Sequence, residues 1–68
     1  MADGLRNRLR EIRVERDLTQ AQLAELIGVS RKTINTIENG VFVPSTLLAL
    51  KLARALDLNV EQLFSLER

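Results

Sequence analysis

Apolar residues recur along the chain at the three- and four-residue spacing of amphipathic helices, and no stretch shows the strict alternation of a half-buried strand. Leu5, Leu9 and Ile12 fall at i, i+4 and i+7, which predicts a first helix over about residues 4–16. Asp17-Leu18 interrupts that pattern. Thr19 and Gln22 then stand at capping-box spacing, where each side chain satisfies the other residue's N–H, with Leu18 and Leu23 as a flanking hydrophobic staple. A second helix is expected over 20–27, stopped by Gly28 as a left-handed terminator. The signals repeat at once: Ser30 is an N-cap, Val29 and Ile34 form a staple, and a third helix runs over 31–39 to Gly40. Only Gly28, Val29 and Ser30 separate the two helices, and a short glycine-containing turn between helices is a helix-turn-helix signature.

Val41-Phe42-Val43-Pro44 reads as an apolar connector, with Phe42 equally suited to tucking under the next helix or to exposure. Ser45 caps a fourth helix over 46–56, apolar on most sides except at Lys51 and Arg54. Asn59 and Gln62 make a second capping box, opening a short fifth helix over 60–66. No linker, repeat or low-complexity tract divides the chain. The expected fold class is all-α, five short helices around one core, with residues 1–68 as a single domain.

Composition narrows the function. A chain of 68 residues, 46% hydrophobic, has room for one small core. It contains neither cysteine nor histidine, which removes thiolate zinc sites and the commonest general base. No glycine-rich phosphate loop and no inward-facing carboxylate pair are legible, so the chain does not read as an enzyme. So small a core leaves little room for a ligand cavity of roughly 300 Å³ or more, and no cofactor, metal or small-molecule ligand is expected. No apolar run approaches the roughly 18 residues of a membrane span, and the first residues lack a secretory apolar core. A cytoplasmic, nucleoid-associated protein is therefore expected. Net charge is only +1, but residues 1–32 carry seven positive against five negative side chains, a mild basic excess.

The third helix carries the most pointed chemistry. With Ile34 and Ile37 inward, Lys32, Asn35, Thr36 and Asn39 point away from the core, with Arg31 at the rim. None of these is acidic. Arginine and lysine suit guanine O6 and N7, asparagine suits adenine N6 and N7, and threonine can meet a thymine methyl. A plain solvated helix face more often mixes acid and base at i, i+4 spacing. The helix starts at Gln20 and Ser30 offer side chains and free N–H groups that suit phosphate.

Leu18-Thr19-Gln20-Ala21-Gln22-Leu23-Ala24, Gly28-Val29-Ser30, Ile34, Ile37-Glu38-Asn39-Gly40 and Pro44-Ser45 together resemble the phage Cro and repressor type of helix-turn-helix protein. The likeness is to its small stand-alone bacterial and prophage regulators, and it spans about Leu5 to Leu66. It implies a lambda-repressor-like domain in which the helix after Ser30 is the recognition helix. Arg31, Lys32, Asn35 and Thr36 would then read bases. Gln20, Ser30, Arg10 and the backbone near Asn39, Gly40 and Val41 would touch phosphates, while Arg6 and Arg8 fit an ordinary solvated face better. The resemblance also implies an ion pair between Arg13 and Glu38, and a homodimer on an inverted-repeat operator. Small relatives dimerise through the C-terminal region, here Val60, Leu63, Phe64 and Leu66. The family commonly has lysine or arginine after Glu-Asn-Gly, whereas this chain has Val41-Phe42-Val43. That departure predicts a shallower salt dependence of DNA binding. The expected function is a sequence-specific transcriptional regulator of repressor type. A protein-interaction module, such as an antitoxin or anti-repressor partner on the same fold, is the alternative.

Overall fold

Helix starts and stops written into the sequence set the architecture. The structure is a computed structural model that describes residues 4–67. In chain order these form β1 (Gly4–Asn7), α1 (Leu9–Glu15), α2 (Gln20–Ile27), α3 (Arg31–Glu38), α4 (Thr46–Ala55), α5 (Val60–Leu63) and β2 (Phe64–Glu67). The Thr19 hydroxyl accepts from the Gln22 N–H, and the Gln22 side chain accepts from the Thr19 N–H. Ser30 and Ser45 cap α3 and α4 by accepting from Thr33 and Leu48. At α5 the Gln62 side chain accepts from the Asn59 N–H at 2.8 Å.

Helices α1 to α4 all terminate alike. In each, the N–H of the residue after a left-handed one reaches back to a carbonyl five residues earlier: Leu18 to Arg13, Val29 to Ala24, Val41 to Thr36 and Leu58 to Ala53. This closure needs one residue in the left-handed region, supplied by Asp17 (φ 57°), Gly28 (75°), Gly40 (74°) and Asp57 (58°). Leu18, Val29 and Leu58 then pack on the core, whereas Val41 is 78% exposed.

Strictly all-α is corrected by a small antiparallel sheet, β1 with β2, in the register Gly4↔Glu67, Leu5↔Leu66, Arg6↔Ser65, Asn7↔Phe64. The first helix therefore starts at Leu9 and not near residue 4, and the fifth ends at Leu63 and not at 66. The reason lies in residue pairing at long range. Leu5 sits at helical spacing from Leu9, but its partner is Leu66 across the ribbon. Asn7 turns the chain into α1 by accepting from the Leu9 N–H, and its amide donates to the Ile37 carbonyl at 3.1 Å.

One core unites the helices. Leu9, Leu23, Ile34, Ile37, Leu52 and Leu56 are wholly buried, with Ile12, Ile27, Leu63 and Phe64 beside them. The Arg16 guanidinium also ties α1 to the end of α4 by donating to the Leu56 carbonyl at 3.0 Å. Packed this way, α2 braces α3 and leaves one side of α3 free.

Candidate nucleic-acid interface

Ile34 and Ile37 are both wholly buried and hold α3 by its inner side. Arg31, Lys32, Asn35 and Asn39 are exposed on the other, while Thr36 is half-buried. The Thr36 hydroxyl donates back to the Thr33 carbonyl at 2.9 Å, which leaves its methyl group and an acceptor for any outward contact. Ser30 is occupied as a cap, its hydroxyl also 3.0 Å from that of Thr33. With its side chains an α-helix such as α3 is about 10–12 Å across, a match to the width of the DNA major groove.

Glu38 is the acid of α3, and its side chain is fully enclosed. Arg13 donates from Nε to Oε2 at 2.6 Å and from Nη2 to Oε1 at 3.2 Å. Arg10 Nε and Gln20 Nε2 reach the same Oε1 at 3.3 and 3.1 Å. Burial by itself would raise the carboxyl pKa, but the hydrogen bonds from Arg13 and Gln20, with the Arg13 charge and the Arg10 bond, outweigh it. Glu38 is held below the usual glutamate value and stays ionised. The outward side of α3 consequently shows no negative charge.

Two residues expected to meet DNA, Gln20 and Arg10, converge on this carboxylate. Gln20 Nε2 also donates to Asn35 Oδ1 at 3.2 Å, and Arg10 Nη2 donates to Asn39 Oδ1 at 3.2 Å. The sequence reading placed Gln20, Arg10 and Asn39 near phosphate but gave no sign that Glu38 holds Gln20 and Arg10, or that Arg10 reaches Asn39. Residues 10, 13, 20 and 38 lie on three helices, and only their packing brings them together.

At the starts of α2 and α3, the N–H groups of Gln20 and Ala21 and of Arg31 and Lys32 precede the first intrahelical bonds. These N–H groups have no acceptor among the described residues. At the end of α3 the position is reversed. The N–H groups of Asn39, Gly40 and Val41 donate to Asn35, Ile37 and Thr36, so the backbone contacts expected there lack a free hydrogen. The donor available in that corner is the Asn39 side-chain amide.

Of the four apolar residues assigned to a partner, Leu63 (1% exposed) and Phe64 (7%) close the chain's own core, and Leu66 (67%) stands outside. Val60 is half-buried. An open apolar groove, not foreseen from the small core, runs between α4, α5 and the sheet, past Leu5, Leu47, Leu50, Val60 and Phe64. Phe42 is 45% exposed, between its two expected states. Arg6 is exposed, and Arg8 pairs with Glu11 at 3.2 Å on the surface of α1. Among the described residues no cluster of acids could hold a metal ion, and no helix is long and apolar enough to cross a membrane.

A capped helix presenting donors, braced by a second helix across a three-residue turn, defines a helix-turn-helix module. The chain belongs to the helix-turn-helix family of the Cro and repressor type, whose model matches residues 9–63. An uncharacterized HTH-type transcriptional regulator, YgzD of Bacillus subtilis (strain 168), is 41% identical over 63 residues, covering 93% of this chain and 96% of that protein. Another from Methanothermobacter thermautotrophicus is 45% identical over 64 residues, with 93% of each covered. Among solved structures, the restriction-modification controller protein C.AhdI from Aeromonas hydrophila superposes with a TM-score of 0.77 at 40% identity, over 81% of this chain and 83% of that one. This membership makes the chain a DNA-binding regulator of transcription and not an enzyme.

Proposed function

We propose that the chain is a sequence-specific repressor that binds double-stranded DNA as a homodimer, each copy laying α3 in the major groove of one half of an inverted repeat. One observation carries this reading: the outward side of α3 presents Arg31, Lys32, Asn35 and Asn39, while the helix's single acid is enclosed and paired. Arg31, Lys32, Asn35 and Thr36 face base edges. The free N–H groups at Gln20, Ala21, Arg31 and Lys32, with Ser30, Arg10 and the Asn39 amide, face the phosphates and set the register. Occupying a promoter in the nucleoid then blocks transcription.

The dimer rests on exposed leucines that border the groove, Leu47 (64%) and Leu50 (54%), continuous with Leu5 (40%) and Leu66 (67%) on the sheet. A single module contacts too few base pairs for an operator, and pairing copies is the usual remedy. Selection from randomised duplex DNA at physiological salt tests the whole reading. It should return an inverted repeat with half-sites about 10 base pairs apart, and Lys32→Ala with Asn35→Ala should abolish the preference while helical content persists. An unpaired half-site would remove the dimer and keep the groove reading.

A second reading is favoured by Val41 (78% exposed), Phe42 (45%) and Val43 (68%), an apolar corner suited to a protein partner of the antitoxin or anti-repressor kind. It predicts a stable complex with that partner and DNA affinity no better than nonspecific.

A further inference from the structure

Asparagine followed by glycine is a chemically labile pair, and the chain has one, Asn39-Gly40. The glycine nitrogen can attack the asparagine Cγ because no side chain on the glycine screens it. Asn7, Asn35 and Asn59 are followed instead by Arg8, Thr36 and Val60. Asn39 and Gly40 are both exposed, and nothing lies within 4 Å of where a Gly40 Cβ would stand. Arg10 Nη2 donates to Asn39 Oδ1 at 3.2 Å, which draws electrons from Cγ. The amide nitrogen of Asn39 has no acceptor among the described residues.

The folded backbone holds this reaction back. Asn39 ends α3 at ψ 1°, and the Gly40 N–H donates to the Ile37 carbonyl at 3.0 Å. Attack requires that bond to break and the nitrogen to swing toward the side chain before it. The closure is the least secured of the four that end α1 to α4. Leu18, Val29 and Leu58 pack on the core after the other three left-handed residues, whereas Val41 is 78% exposed. A helix end without such an apolar hold opens locally, with no need for global unfolding.

We propose that Asn39-Gly40 is a deamidation site whose conversion releases the protein from DNA. In the opened end the Gly40 nitrogen gives its proton to water or hydroxide and bonds to Asn39 Cγ. The Cγ–Nδ2 bond breaks, and ammonia leaves with its third hydrogen taken from water. Water then opens the cyclic imide at either carbonyl, giving aspartate or isoaspartate. The effect on DNA rests on the reading of α3 as the groove-reading helix. Conversion replaces the amide donor of this corner with a carboxylate that repels phosphate and competes with it for Arg10. Negative charge is also disfavoured at a helix C-terminus. Isoaspartate further lengthens the main chain by one carbon, so the Gly40 and Val41 N–H groups lose their register with Ile37 and Thr36. A phosphate against the corner keeps it closed, so free protein ages while operator-bound protein is spared.

The test follows the full chain through prolonged incubation at mildly alkaline pH, alone and with an excess of its selected operator, beside Asn39→Gln. Peptide mapping by mass spectrometry locates the change from amide to acid, and operator affinity is read at each time. Conversion is expected at Asn39 ahead of every other amide, and several-fold more slowly in the operator complex. Affinity should fall at least about tenfold in the converted fraction. Asn39→Gln, whose cyclisation needs a larger ring, should hold its own starting mass and starting affinity throughout. Urea below the unfolding transition should leave the rate nearly unchanged, since local opening exposes little surface. Asn39 intact at the end, another amide converting first, or conversion with undiminished affinity overturns the proposal. So do equal rates with and without operator, or a rate that climbs with urea in step with global unfolding. Fresh protein that selects no duplex removes the groove reading itself, and the mass map still decides the site.

Discussion

Arg13 meets Glu38 side-on, with Nε 2.6 Å from Oε2 and Nη2 3.2 Å from Oε1, while its Nη1 donates to the Leu18 carbonyl at 2.7 Å. One guanidinium thus joins α1 to the end of α3 and to the turn that enters α2. Glu38 keeps Arg10 and Gln20 when Arg13 is lost, whereas Arg13 has no second carboxylate among the described residues when Glu38 is lost. Glu38→Ala should cost about 3 kcal/mol or more, because it leaves the largely buried Arg13 charge uncompensated. That is a large share of the roughly 3–10 kcal/mol expected for a domain of this size. Arg13→Met with Glu38→Leu should recover much of the loss, since apolar replacement of both partners removes the stranded charge. Urea unfolding of the two variants checks this; a single variant as stable as wild type would falsify the pairing as a structural tie.

The same carboxylate predicts an acid limit. Its folded pKa lies below the unfolded glutamate value of about 4.3. The stabilisation is therefore complete above that value and is lost as pH falls from there through the lower folded pKa. Urea midpoints between pH 7 and pH 3 should fall more steeply for wild type than for Glu38→Gln, whose amide does not titrate. Other carboxylates, Glu11 among them, also titrate in this range. The difference between the two proteins isolates Glu38, and parallel curves would remove its role.

Local signals in the chain carried the helix-turn-helix itself. Thr19, Gly28, Ser30 and Gly40 punctuate α2 and α3 where the structure starts and stops them, because caps act within four or five residues. The sheet was not legible, since Leu5 and Leu66 find each other across almost the whole chain and each also fits a helical spacing. Leu63 and Phe64 read as surplus apolar residues for a partner, yet they complete the core under β1. Neighbour counting along the sequence cannot separate those two fates. The Gln20–Asn35 bond was hidden for a related reason: it depends on how α2 packs against α3, which brings Gln20 beside Asn35 and Glu38 although they lie 15 and 18 residues on in the chain.

Left-handed residues offer a test of the helix ends. Gly28 and Gly40 have no atom within 4 Å of where a Cβ would stand, so Gly→Ala at either position should cost about 1–2 kcal/mol through backbone strain alone. Asp17 and Asp57 occupy the equivalent positions after α1 and α4 at φ 57° and 58°. Asp17→Gly and Asp57→Gly should each be neutral to stabilising by up to about 0.5 kcal/mol, as strain relief offsets the added freedom of the unfolded chain. Thermal melting of the four variants would show opposite trends for the two pairs; a loss at the aspartates equal to that at the glycines would mean that the carboxylates do more than tolerate the turn.

Val41 is the one member of the four helix-terminating apolar residues that stands clear of the core, 78% exposed beside Asn39 and the end of α3. Its backbone is fixed by the bond to Thr36, but its side chain stabilises little, so the position tolerates a charge. If α3 lies in the groove, this corner approaches the sugar-phosphate chain, and valine leaves a phosphate there without a cation. Val41→Lys should then raise DNA affinity at low salt and steepen the dependence of log K on log salt by about 0.9 for each protomer bound. The selected operator should not change, because a phosphate contact carries no base information. Fluorescence titration of operator and scrambled duplex across a salt series separates the cases. A steeper slope on both duplexes places the corner against the backbone, whereas an unchanged slope with weaker operator binding would turn Val41 away from DNA and toward a protein partner.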